Sequence, residues 1–126
     1  MSSALSKLPY TDHVFKMVAG PVSLSIRVWP ARNTSPDKPA PFFFWTHGGA
    51  WIVGSHRLPR PWAVEAFVNA GYHFVSCESR FIPEVELKDI LQDLLDGIAW
   101  CMKELPRILG ESKVDVGRYA VGGESA

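Results

Sequence analysis

What the chain lacks narrows its function before anything it contains. Its 126 residues carry thirteen basic and thirteen acidic side chains, with no block of either sign. A nucleic-acid or anionic-membrane partner would leave such a footprint, and neither is expected. Apolar runs are short. The densest, Phe42 to Trp45, falls far below the ~20 residues of a membrane-crossing helix. The opening residues, MSSALSKLPYTDH, hold no basic region followed by an apolar one, so no leader is legible and a cytoplasmic protein is the default expectation. Cysteine is scarce: Cys77 and Cys101 have neither CxxC nor CxxxC spacing, which argues against a disulfide framework or a zinc site and for buried free thiols. The four histidines, His13, His47, His56 and His73, lack HxxxH spacing, and no metal or cofactor is expected.

What is present is an apolar content of 47%, enough for one globular domain over residues 1–126 with a real core. Val14–Val18 and Val22–Val28 are short and β-branched, separated by AGP, and predict an antiparallel strand pair. Pro30–Pro41 reads as a surface loop. Phe42–Thr46 is continuous and apolar, as in a strand buried on both faces of a parallel sheet. A helix is predicted from Pro61 to just before Gly71, then a strand over Tyr72–Glu78 and a loop over Ser79–Glu84. Leu87, Ile90, Leu91, Leu94, Leu95, Ile98, Met102 and Leu105 recur at helical spacing and predict an amphipathic helix closed by Pro106. A last strand is expected at Arg118–Val121. Strands alternating with helices predict an α/β fold with parallel crossovers.

In such a sheet, ligands and catalytic groups gather beyond the carboxyl ends of the strands. Two unusual stretches sit at those ends: His47-Gly48-Gly49-Ala50-Trp51 after one strand, and Gly122-Gly123-Glu124-Ser125-Ala126 after another. A serine on a sharp strand-to-helix turn needs small neighbours, and Gly123 and Ala126 provide them. Its attack on a carbonyl creates an oxyanion that needs backbone N–H donors, which glycine-rich backbone can bring close. The bland alternatives are two ordinary glycine turns, with a solvent-facing Ser125 and a hydrogen-bonded His47. A phosphate cradle at VGGES is a further alternative, weakened by the missing Lys-Ser/Thr of a P-loop and the missing GxGxxG spacing.

Taken together, the motifs resemble the hormone-sensitive-lipase-like branch of the α/β-hydrolases, with its HGGG oxyanion loop and G-x-S-x-G nucleophile elbow. Ser79-Arg80-Phe81-Ile82-Pro83-Glu84 is similar to that branch's Y-R-L-A-P-E loop, with serine for tyrosine. Asp93 and Trp100 match an aspartate and tryptophan on the helix that follows it. The resemblance implies Ser125 as nucleophile, Gly49, Ala50 and Ala126 as oxyanion donors, Gly48 as the residue that shapes the loop, and His47 as its organiser. Ala50 departs from the third glycine, and HGGAW is also similar to the HGGxW loop of arylformamidases and related amide or ester hydrolases.

The triad order implied by the family is Ser, then Asp or Glu, then His. All four histidines precede Ser125, and His13, His56 and His73 are expected in structural or solvent-exposed roles. The chain therefore reads as the N-terminal part of an α/β-hydrolase fold, two antiparallel strands followed by a parallel sheet, with its later strands missing. The expected function is that of a serine carboxylester hydrolase acting on a small-molecule ester, inactive as these residues alone. An arylformamidase-like hydrolase is one alternative. Another is a non-catalytic product that associates with itself through an unpaired, apolar sheet edge.

Overall fold

The structure is a computed structural model and describes residues 8–47, 55–57 and 59–124. Strands β1 (Thr11–Val18) and β2 (Val22–Trp29) pair antiparallel. Gly20, at φ 113°, supplies the left-handed residue of the turn between them. Then follow β3 (Ala40–Thr46), α1 (Pro61–Asn69), β4 (His73–Cys77), α2 (Leu87–Leu109), a 3₁₀ turn (Glu111–Lys113) and β5 (Val114–Gly123). The sheet order is β1-β2-β4-β3-β5. β2 meets β4 antiparallel, while β3 lies parallel to both β4 and β5. The expected α/β architecture, with an antiparallel start leading into a parallel sheet, is the one observed.

β3 lies between β4 and β5, with a neighbour on each side, and its position explains its composition. Successive side chains alternate across a sheet, so Phe42 and Phe44 enter one core with Ile26, Val28, Val75, Cys101 and Leu105. Trp45 enters the other core with Trp29, Val64, Val68 and Phe74. Helix α2 covers the first face and α1 the second. Burial on both faces, expected from the run FFFW, is borne out.

Several expectations need correction. Strand β1 begins at Thr11, three residues early, because the polar Asp12 is held across the ladder by a two-pronged bond from Arg27, at 2.8 and 3.0 Å. Strand β5 runs from Val114 rather than Arg118. Gly117 lies in the stretch where the ladder shifts register, Ala40 pairing with Val114 and Phe42 with Tyr119. Pro106 does not close α2, which continues to Leu109. The carbonyl that loses its helical donor belongs to Met102, an exposed residue that water can serve.

The buried stripe of α2 also differs from the leucine pattern. Ile90, Asp93, Gly97, Cys101 and Leu105 face the sheet, whereas Leu87, Leu91, Leu95 and Met102 are exposed. A side chain at Gly97 would start 2.7 Å from Cys77 Sγ and 3.0 Å from Phe44 Cζ. Helix and sheet approach so closely there that only glycine fits, and the burial follows this narrow seam rather than the widest hydrophobic arc.

His13 and His73 lie in strands and His56 in a loop, as expected. His73 is buried, and its role is structural. Its Nδ1 accepts the Ala31 N–H at 2.9 Å, which leaves Nε2 protonated to donate to Lys113 O at 3.0 Å. Burial, partly offset by the Lys113 bond, holds its pKa below the usual imidazole value. Among the described residues, no helix is long and apolar enough to cross a membrane.

Candidate active site

Parallel β3 and β5 are adjacent, and they end in register, Thr46 opposite Gly123. The next step of pairing holds too, since the Glu124 N–H donates to Thr46 O at 3.2 Å. The backbone leaving β3 toward Gly48 and the backbone leaving β5 toward Ser125 therefore start side by side at the same sheet end. Of the residues assigned from sequence, His47 lies within the described structure. Gly48, Gly49, Ala50, Ser125 and Ala126 lie outside the described residues.

Two glycines make this close approach possible. A Cβ on Gly122 would sit 2.6 Å from Phe43 Cζ. One on Gly123 would overlap Thr46 Oγ1 and stand 3.0 Å from Thr46 O. Gly123→Ala is expected to destabilise the chain by about 1–3 kcal/mol through overpacking, read as a lower midpoint in chemical denaturation. Thr46→Ala in the same chain should recover part of the loss, and equal losses in both backgrounds would show that the clash is not the cause. Arg60, just before α1, lies 3.4 Å from Glu124, an exposed pair of small energetic worth.

His47 is buried at the end of β3, its ring centroid 5.5 Å from that of Phe81. Phe81 belongs to the Ser79–Glu84 loop, and that loop is bound to α2. Arg80 donates from Nε and from Nη2 to the two carboxylate oxygens of Asp93, at 3.0 and 2.9 Å, and its backbone N–H donates to Asp93 Oδ2 at 3.0 Å. Lys16 of β1 reaches Asp93 Oδ1 and Asp96 Oδ2, each at 2.7 Å. Asp93 is wholly buried. Burial alone would raise its pKa, but the bonds from Arg80 and Lys16 outweigh that, and the carboxyl sits below the ordinary value. In the sequence Asp93 was legible only through the resemblance; a charge facing a sheet gives no periodic signal.

His56, Ser55, Arg57, Glu78, Phe81 and His47 line a hollow of about 330 Å³ at this end. Burial, reinforced by Arg57 and Arg27, pushes His56 down to a pKa of about 4. It is neutral at pH 7 and too weak a base to be tuned for proton abstraction there. His56 is protonated near 6.5 in the unfolded chain and near 4 in the folded one. Stability is thus unaffected above pH 6.5 and declines as pH falls from 6.5 toward 4, by on the order of 3 kcal/mol from this group. Melts between pH 7 and 4.5 should show that slope, and His56→Gln should flatten it. A larger hollow of about 600 Å³, lined by residues such as Asp37, Tyr72 and Arg118, lies at the opposite end of the parallel strands, away from both motifs.

The sheet is mixed, and its neighbouring parallel strands β3 and β5 end together just before the sequences HGGAW and ESA, in an α/β architecture. A family model described as alpha/beta hydrolase fold matches residues 43–126, and the chain belongs to that family. It is 24% identical over 112 residues to an AB hydrolase superfamily protein of Schizosaccharomyces pombe, a match covering 88% of this chain and 33% of that protein. A non-reducing polyketide synthase of Penicillium rubens is 34% identical over 91 residues, 71% of this chain and 4% of the synthase. Among solved structures, the esterase LipW from Mycobacterium marinum superposes with a TM-score of 0.76 at 22% identity, over 97% of this chain and 37% of the esterase. A bacterial heroin esterase does so with a TM-score of 0.76 at 23% identity, over 97% and 38%. The chain thus spans a minor part of the length of each of these relatives, and the structural likeness is one of fold.

Proposed function

We propose that this chain carries the nucleophile and the oxyanion loop of a serine carboxylester hydrolase, whose triad acid and histidine come from residues outside these 126. The observation that supports it is the shared ending of β3 and β5, Thr46 opposite Gly123 with Glu124 bonded to Thr46. Ser125 attacks the carbonyl of a small ester, and the N–H groups of Gly49, Ala50 and Ala126 receive the developing negative charge. Gly48 shapes the loop and His47 organises it. The acyl group passes from alcohol to serine, and water then releases the acid.

Without base and acid the serine is not activated, so the 126-residue chain alone is inactive in this reading. Among the described strands β5 is paired on one side only, and Tyr119 and Val121 on it are exposed; that edge would then pair with another chain. The experiment is hydrolysis of a short p-nitrophenyl ester by the chain alone and by a longer protein that contains it. The reading expects turnover from the longer protein only. Robust, Ser125-dependent turnover by the chain alone would overturn the claim of inactivity, and a longer protein without turnover would overturn the esterase assignment.

A further inference from the structure

Two sequence landmarks read separately, the Ser79–Glu84 loop and Asp93, form a single contact in space, and that contact leads to His47. Asp93 is a fixed point: its helix is seated on Cys77 and Phe44 through Gly97, and its carboxylate is fully buried. Arg80 meets it three times, with both arms of the guanidinium fork and with its own backbone N–H, so main chain and side chain are held together. The residue before Arg80, Ser79, is buried. The residue after it, Phe81, is half-buried, and its ring lies against His47, with centroids 5.5 Å apart, the last described residue before Gly48.

We propose that Asp93 is a positioning residue for that loop: through the Arg80 fork and the Phe81 ring it sets where the His47 side chain stands at the end of β3. The proposal rests on reading residues 47–50 as the oxyanion loop, and it adds a distant carboxylate to the parts on which that loop depends. Lys16 provides the comparison. It bonds to Asp93 Oδ1 and to Asp96, yet comes from β1, and its ion-pair partners among the described residues are those two carboxylates on α2. If Asp93 served only to hold the fold, removing Lys16 and removing Arg80 would act alike. A positioning role separates them.

The test reads the chain itself by NMR, with labelled histidine and phenylalanine, through the ring-current shift and cross-relaxation that Phe81 imposes on His47. Arg80→Ala and Asp93→Asn are expected to abolish the His47–Phe81 signature, and Lys16→Ala to leave it. Arg80→Lys should not restore it, because a point charge cannot replace the fork. Phe81→Leu should shift His47 while the Arg80–Asp93 bonds persist, so the comparison survives if the charge variants fail to fold. Equal displacement of His47 by Lys16→Ala and Arg80→Ala would overturn the proposal, as would an unmoved His47 in folded Arg80→Ala or Phe81→Leu. These signals do not depend on turnover: if His47 is displaced in the chain's variants while a longer protein containing the chain hydrolyses no ester, the hydrolase reading falls and the positioning stands.

Discussion

Replacing Asp93 by alanine is expected to destabilise the chain by about 3–5 kcal/mol, the cost of breaking a buried ion pair from one side. Two cations lose their shared partner: Arg80 and Lys16 are 25% and 20% exposed at their side chains, too covered for water to compensate fully. A domain of ordinary stability has only about 5–15 kcal/mol to lose, so the variant should be partly unfolded at 37 °C. Denaturant titration measures the loss, and a midpoint within error of the parent would show that the cluster is an incidental surface feature. The pH dependence carries a further signature. The Asp93 carboxyl has a folded pKa below the ordinary aspartate value of 3.8, so its contribution is complete above that value and disappears as pH falls through the lower one. Acid should therefore act twice, first on His56 between pH 6.5 and 4, then on Asp93 below.

The second large effect concerns the nucleophile. In a longer protein that turns over an ester, Ser125→Ala is expected to lower kcat by roughly 10³- to 10⁶-fold with KM little changed, since losing a triad serine removes the covalent route while binding remains. Serine content alone does not decide this. Ser112, exposed in the 3₁₀ turn, is the matched control, and its alanine variant should retain full activity. An equal fall for both variants would point to folding rather than chemistry, and no fall for Ser125→Ala would remove it from the mechanism.

Much of the fold was legible because its signals are local. The run from Phe42 to Thr46 announces a doubly buried strand, and Pro61 with Gly71 brackets a helix, since both depend on neighbouring residues alone. The seam under α2 was not legible. A glycine inside a helix gives no local sign of use, and the value of Gly97 comes from Cys77 and Phe44, which sequence order places far away. The same is true of Asp93: a charge among leucines reads as the solvent side of a helix until Lys16 and Arg80 are brought to it from two other elements. For the candidate site, the sequence order of HGG and GxS implied a common edge, and the register of β3 against β5 is what brings their starting points together. The close fit of Gly123 against Thr46 depends on that register and on nothing written nearby in the chain.

The seam at Gly97 also makes Cys77 a timekeeper. Burial, added to by Cys101 and Asp93, pushes the Cys77 thiol well above its usual range, and Cys101 is buried beside it with its own thiol raised. A thiolate is the reacting form, so neither sulfur reacts while α2 rests on the sheet. Each reaction with a thiol reagent in the native buffer must then wait for the helix to lift, and the rate at which the two sulfurs are modified is a direct clock of how often that layer opens.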